Sequence, residues 1–233
     1  MLVLEKNNLP VGWAIAKMNT VTKSKKIGID RSRIGQSDLG IPYLKMNNIT
    51  VNGTLDLTSL THIQCTEQEE KEYALEYGDI VFNTRNSYEL VGKTAFWNGL
   101  VSNCVYNNNI MRIRTHDIIS SKFLVYFMNS TQFRNSLLSI KRATTNICAI
   151  YDKDLKEQII PIPPLNEQKR IVAKIEELFS LIENIEMNVS PKLPNLSTLR
   201  SSILKQAFEG KLIPQDPNDE SASELLKRIE LQK

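Results

Sequence analysis

Pro163-Pro164-Leu165-Asn166-Glu167-Gln168-Lys169-Arg170-Ile171-Val172 is where the chain changes character. The two prolines end an extended segment, and Asn166 is placed to cap a helix by accepting from the free amides of its first turn. Beyond it, apolar residues fall at Ile171, Ile175, Leu178, Ile182, Ile185 and Val189. Their spacing alternates between four and three residues, which is a heptad seam. The spacing predicts a helix from about Glu167 to Val189, roughly 35 Å long at ~1.5 Å per residue. Val172 and Phe179 widen the stripe. A single amphipathic helix usually packs on its own domain. Here the only later helix able to cover so broad a stripe is shorter, so burial against a second molecule is the favoured reading. Ile175 and Ile182 at alternate seam positions suit a coiled coil of low order, parallel or antiparallel.

Working outward, Ser190-Pro191-Lys192-Leu193-Pro194 must interrupt this helix, because proline removes an amide and clashes with the preceding turn. A second helix is expected from about Leu196 to Glu209, with Gly210 at its C′ position. Ser221 and Glu224 form a capping box before a short terminal helix. On the other side, residues 1–160 read as short strands among loops. Ile41–Leu44, Asp79–Asn83, Thr94–Trp97 and Ile110–Arg114 are rich in β-branched and aromatic residues, and Gly53, Gly78, Gly92 and Gly99 punctuate them as turns. Ser121–Ile140 reads as one helix capped by Ser120 or Ser121, with Phe123, Phe127, Phe133 and Leu137 buried. The expected fold class is α+β: a mixed α/β domain over residues 1–160, then a helical, coiled-coil-forming region over residues 161–233.

The apolar fraction of 41% is enough for a packed core. No segment approaches the ~18 uncharged apolar residues of a membrane span. Met1–Leu9 carries Glu5 and Lys6 and does not read as a secretory signal. Cys65, Cys104 and Cys148 are odd in number and far apart, which reads as buried thiols in a reducing cytoplasm. Net charge is only +3, but its layout is uneven. Lys17–Arg33 and Arg85–Arg142 are dominated by basic residues, and Glu67–Asp79 by acids. A basic face would favour a polyanion such as DNA; a solvated mixed-charge surface is the competing reading.

Motifs for catalysis are sparse. The chain has no Asn-Pro-Pro-aromatic motif, no Gly-x-Gly-x-x-Gly and no P-loop. His62 and His116 lack ligand partners nearby in sequence. Asp152 and Asp154 read as the start of a helix rather than a nuclease pair. No catalytic or metal-binding residue is assigned. Three polar loops are candidate DNA readers instead. Asn83-Thr84-Arg85-Asn86-Ser87 follows the apolar strand Ile80-Val81-Phe82; arginine can bond guanine bidentately, and asparagine adenine. Lys45-Met46-Asn47-Asn48 follows the strand ending near Tyr43. Lys141-Arg142-Ala143-Thr144-Thr145-Asn146 offers charge for phosphates and short polar groups for bases. The candidate DNA contacts are therefore Lys45, Asn47, Asn83, Thr84, Arg85, Asn86, Lys141, Arg142, Thr144, Thr145 and Asn146, with Lys93 added from the basic run. Any one such loop alone is usually just a turn.

The wording from Pro161 through Pro163-Pro164-Leu165-Asn166-Glu167-Gln168 to Glu183 resembles the conserved region of the specificity (S) subunits of Type I restriction–modification systems. Leu199–Leu212 and Pro214–Glu220 resemble that family's C-terminal end. Leu9-Pro10-Val11-Gly12-Trp13, Gly78-Asp79-Ile80-Val81-Phe82, Gly92-Lys93-Thr94-Ala95 and Ser121–Phe127 are similar to its landmarks, in the family's order. The resemblance implies a target-recognition domain that reads half of an interrupted DNA site, followed by a helical spacer. It implies partners: double-stranded DNA, methyltransferase (M) subunits that use S-adenosylmethionine, and restriction (R) subunits that use ATP and Mg. The S subunit itself binds no cofactor and is no enzyme. Family members normally carry two recognition domains, and the match here covers one. The expectation is thus a half-size subunit that pairs with itself through Ile171, Ile175, Leu178, Ile182, Ile185 and Val189, or with a different half-subunit. The proline break departs from the family's longer helix and leaves the DNA spacing open. The competing class is a stand-alone dimeric DNA-binding regulator; a hidden nuclease is third.

Overall fold

The computed structural model describes residues 9–10, 12–31, 36–37, 39–145, 147–189 and 202. The chain divides into two compact units, residues 1–175 and 176–233. In chain order the first unit runs through β1 (Ala14–Lys17), α1 (Met18–Val21), β2 (Thr22–Ile27), β3 (Gln36–Ser37), β4 (Ile41–Leu44), β5 (Thr61–Ile63), α2 (Glu67–Tyr73), β6 (Ile80–Asn83), β7 (Arg85–Asn86) and β8 (Thr94–Phe96). It continues through β9 (Val105–Tyr106), β10 (Ile110–Thr115), α3 (Ser121–Asn129), α4 (Thr131–Leu137), β11 (Arg142–Ala143), β12 (Cys148–Ala149), α5 (Asp152–Leu155) and β13 (Ile159–Ile162). Helix α6 (Leu165–Val189) begins in this unit.

The central sheet is antiparallel, in the order β2-β10-β6-β8. Ile80, Val81 and Phe82 are all fully buried because β6 is covered on both faces. Ile80 and Phe82 join Met111, Ile113 and the α3–α4 residues Leu124, Met128, Phe133 and Leu137. Val81 points the other way, toward Ala95, Trp97, Tyr106 and Ile110. A second sheet, β3-β5-β4-β9, lies next in the chain's topology and carries the smaller cluster of Ile29, Tyr43, Ile63 and Val105. The fold is thus a mixed α+β domain.

Most expected strands are present within a residue of their sequence limits, and Gly53, Gly78, Gly92 and Gly99 all take positive φ. Two local readings need correction. The expected single helix Ser121–Ile140 is two helices: Ser120 caps the first through Phe123 N, and Ser130 ends it and caps the second through Phe133 N. Each serine supplies an acceptor for an orphan amide, so a second cap inside the stretch restarts the helix. Asn166 is not the cap of α6. The helix starts at Leu165, and the Pro164 carbonyl accepts from the amides of Glu167 and Gln168. The extended segment expected before the prolines is the strand Ile159–Ile162, and the basic stretch Thr22–Ile27, unassigned from the sequence, is also a strand; among the described residues β13 pairs with β1 alone, which tolerates Pro161. Cys104 and Cys148 are buried and Cys65 half-buried, all as free thiols. Burial pushes the Cys104 thiol up to about 12.

The base of α6 is anchored to the first unit by buried polar contacts. Gln168, 1% exposed, accepts from Ser120 N at 2.8 Å and donates to the carbonyls of Pro163 at 3.0 Å and Ile118 at 3.3 Å. Trp13 Nε1 donates to Glu167 Oε1 at 3.0 Å. These bonds explain why the Glu167-Gln168 pair follows the prolines: one side chain holds the N-terminal segment and the other the cap of α3. In the second unit, Leu178, Ile182 and Ile185 are 44%, 50% and 53% exposed. The expected proline break and terminal capping box lie outside the described residues, as do the side chain of Val189 and all of the expected second helix but Ser202.

Candidate nucleic-acid interface

The two basic runs differ in what their charges meet. Lys17 pairs with Glu157, Lys25 with Asp152, Lys26 with Glu72 and Arg31 with Glu69. Much of the N-terminal run is therefore neutralised, partly by the acidic run of α2, and the same acids that looked separate in sequence face it across the fold. Arg114 forks onto Asp79 at 2.6 and 3.1 Å and also reaches Glu76, while Arg112 donates to the Ala74 carbonyl. The concavity along α2, lined by Glu67, Gln68, Lys71 and Glu72, is mostly acidic and does not suit a polyanion.

Of the second run, Arg85 and Arg142 lie on a short ribbon, β11-β12-β7. Arg142 and Arg85 both stand opposite Ala149, one on each side, and Ala143 and Asn86 both stand opposite Cys148. Directly paired residues share a face of a pleated sheet. Cys148 belongs to the hydrophobic core, so the Arg85–Ala149–Arg142 row is on the opposite face. Two neighbouring strand spacings put the arginine backbones ~10 Å apart. Arg85 has no ion-pair partner among the described residues; Arg142 approaches Asp154 at 3.8 Å. Thr144 and Thr145 are exposed beside Arg142, and Thr144 Oγ1 donates to the Ile147 carbonyl. Lys141 Nζ donates to the Tyr88 carbonyl at 2.6 Å and sits 4.5 Å from the Tyr88 ring centre, tying this hairpin to the Asn83–Ser87 loop.

The third loop joins them from beneath. Met46–Asn48 is a single 3₁₀ turn, with Asn47 exposed and Asn48 buried. Asn48 accepts from Lys45 N and donates to the carbonyls of Asp56 and Ser59. Lys45 Nζ donates to Thr61 Oγ1 at 3.3 Å. Lys93 Nζ donates to the carbonyls of Met46, at 2.9 Å, and Ile49. A groove of about 330 Å³ lies between the turn and the Asn83–Leu90 loop. So the structure brings all three sequence-predicted loops to one region.

Not every candidate reaches the surface there. Asn83, Thr84 and Lys93 are 0%, 4% and 6% exposed, which corrects their expected place among the contact residues. Asn83 Nδ2 donates to the carbonyls of Arg85 and Asn109, and its Oδ1 accepts from Asn86. Asn83 and Lys93 support the loops through their side chains, and Thr84 through its backbone bonds to Asn109 and Ile150. Lys45, Asn47, Arg85, Asn86, Lys141, Arg142, Thr144 and Thr145 keep accessible surface, and Asn146 lies outside the described residues. The sequence reading passed over Asn107-Asn108-Asn109, a turn wedged between the others: its Asn109 carbonyl accepts from Thr84 N and its amide lies 3.9 Å from Met46 Sδ. Three consecutive asparagines before a strand were the signal available for it. Among the described residues, no three His, Cys, Asp or Glu side chains are placed to hold a metal ion, and no helix is long and apolar enough to cross a membrane.

Comparison with known proteins adds a family relationship. A family model described as the Type I restriction modification DNA specificity domain matches residues 10–193. The chain is 29% identical over 212 residues to the Type I restriction enzyme EcoKI specificity subunit of Escherichia coli (strain K12), covering 87% of this chain and 46% of that protein. It is 30% identical over 212 residues to the StySPI specificity subunit of Salmonella potsdam, covering 90% and 45%. Its fold matches the HsdS subunit from Thermoanaerobacter tengcongensis with a TM-score of 0.60 at 23% identity, over 88% of this chain and 47% of the other. The chain spans about half the length of these curated relatives.

Proposed function

The chain belongs to the Type I restriction modification DNA specificity family, and from that premise we propose that it reads one half-site of a bipartite DNA target and directs methyltransferase subunits to it. One observation carries this reading: three loops distant in sequence converge on one region, where two exposed arginines flank Ala149 on the face opposite Cys148. Two arginines whose backbones lie ~10 Å apart on a ribbon suit a duplex, whose major groove is ~12 Å wide. One arginine can fork onto guanine while the other meets a phosphate, and the amides of Asn47 and Asn86 can reach adenine.

The helix α6 serves as the spacer. Its seam, with Leu178, Ile182 and Ile185 about half exposed, pairs with the same surface of a second copy as a coiled coil, so that two recognition domains complete one reader. The chemistry belongs to partners: the modification subunit brings S-adenosylmethionine and transfers methyl to adenine, and a restriction subunit adds ATP- and Mg-dependent cleavage. The complex works in the cytoplasm, where the free thiols stay reduced.

The test is reconstitution. The purified chain alone should neither methylate nor cut DNA. With its methyltransferase partner and S-adenosylmethionine it should methylate adenine at one defined sequence. Methyl transfer by the chain alone, or methylation by the partner at the same sites without this chain, would overturn the proposal.

A further inference from the structure

We propose that Lys93 is a positioning residue for base reading: its ammonium holds the Met46–Asn48 turn, and with it the exposed amide of Asn47, at a fixed place beside the Asn83–Asn86 loop. The inference rests on the DNA-reading role of this face.

Lysine is seldom fully buried, and an ammonium taken out of water is costly unless its donors are used. Lys93 is 6% exposed, has no carboxylate partner among the described residues, and gives its hydrogen bonds to two backbone carbonyls, those of Met46 and Ile49. Desolvation lowers its affinity for a proton. Those carbonyls bracket the 3₁₀ turn, so the side chain closes the turn from below. The lysine backbone is fixed separately: Asn83 N donates to the Lys93 carbonyl at 2.8 Å and Gly92 N to the Asn83 carbonyl at 2.9 Å. Gly92 makes this tight turn with φ of +92°, and a Cβ there would stand 2.8 Å from Leu137 Cδ1. One residue therefore joins two reader loops, through its backbone to one and its ammonium to the other. Asn48 holds the far side of the turn, leaving Asn47 as the member that points into solvent. The groove between the loops is lined by Met46, Asn47, Ile49, Asn86, Leu90 and Lys93, so its width depends on this tether. A lysine that touched a DNA phosphate would have its donors turned outward instead.

The test uses the complex reconstituted with the methyltransferase partner, comparing wild type, Lys93→Met and Asn47→Ala on the methylated target and on every single-base variant of it. Methionine fills the same space without donors. Both variants should lose roughly 10-fold or more of the discrimination at the same one or two base pairs. The dependence of log affinity on log salt should keep the wild-type slope, whereas loss of a phosphate contact would lower that slope by about one. A lowered slope, an equal loss of affinity for all sequences, or relaxation at different positions in the two variants overturns the proposal. Where Lys93→Met does not fold, Lys93→Gln, which keeps a donor for one carbonyl, must show the same relaxation to a smaller extent; unchanged discrimination in it and in the exposed Asn47→Ala variant overturns the proposal equally. A wild-type complex with no sequence-specific target removes the reading of the whole face, a result distinct from a wild-type target that the variants share unchanged.

Discussion

Arg85 and Arg142 stand opposite the same residue, Ala149, on either side of one short strand. They are far apart in sequence, yet the pairing puts both on one face at ~10 Å. At that separation, with no ion-pair partner in common, substitution effects should add. Arg85→Ala and Arg142→Ala should each weaken binding of the assembled complex to its target, by roughly 1–3 kcal/mol where a bidentate base contact is lost. The double variant should equal the sum within ~0.5 kcal/mol. Arg200→Ala, in the expected second helix, should leave target affinity near wild type. Fluorescence anisotropy at several salt concentrations reads all four; an Arg85 variant that binds like wild type removes that residue from the interface.

Gln168→Ala should destabilise the first unit. It takes the partner from the Pro163 carbonyl in a buried place and from Ser120 N and the Ile118 carbonyl in partly buried ones. Each unsatisfied buried group costs ~1–3 kcal/mol, and water entering the space left by the side chain offsets part of that. A loss of about 1–3 kcal/mol in urea denaturation is the expected outcome. The exposed neighbour Lys169→Ala should change stability by less than ~0.5 kcal/mol.

Glu69 gives a pH signature. The Thr66 amide, the Arg31 guanidinium and the Thr66 hydroxyl hold its carboxyl below the ordinary 4.5. A carboxylate depressed in the folded state contributes stability that is present above its unfolded value and is lost as pH falls through the folded one. Glu69→Gln should therefore melt below wild type at pH 7 and converge with it in acid, once the pH has fallen through the lowered folded-state value. The Glu69 side chain is about one-quarter exposed, so solvent screening should keep the gap modest. Thr66→Ala removes the helix cap at both pH values, at a cost of ~1 kcal/mol. A Glu69→Gln gap that is the same at pH 7 and in acid would count against this linkage.

How legible these features were depends on range. The α6 seam was plain because helical period is local: Ile171 to Ile185 show it without knowledge of neighbours. The β6 strand was legible for a related reason, since an unbroken Ile80-Val81-Phe82 run means burial on both faces. Ser130 was harder, because a serine inside an amphipathic stretch caps a new helix only if the chain turns there. Lys25 beside Asp152 and Lys26 beside Glu72 were illegible, since ion pairs across the fold leave no trace in spacing. Lys93 and Asn83 read as surface polar groups for the same reason: what satisfies them are backbone carbonyls contributed from elsewhere in the chain. The loops' identity was visible, but which of their side chains face outward was fixed only by tertiary contacts.

The apolar seam should set the oligomeric state. Leu178, Ile182 and Ile185 are each about half exposed. Ile182→Asp would place a carboxylate within a buried seam, at several kcal/mol. Light scattering at micromolar concentration should show wild type as a dimer, alone or with the methyltransferase partner, and the variant as a lower species. A wild-type chain that stays monomeric with and without that partner sinks the self-pairing proposal.

Self-pairing fixes the symmetry of the DNA target. Two identical recognition domains related by a two-fold axis must read identical half-sites on opposite strands, because operator symmetry mirrors protein symmetry. The target should therefore be an interrupted palindrome. Helices of roughly 35 Å between the domains would hold the half-site centres about one DNA turn apart, ~10 base pairs. Altering the helix length should change the gap without changing the half-sites, since the loops that read them lie in a separate unit from the seam beyond Ile175. Mapping methylated adenines in cells that carry this chain and its methyltransferase partner, with no other specificity chain, decides the matter. Two unrelated half-sites would mean that a different chain supplies the second domain, and self-pairing would be excluded while the reading of the Arg85–Arg142 face would stand.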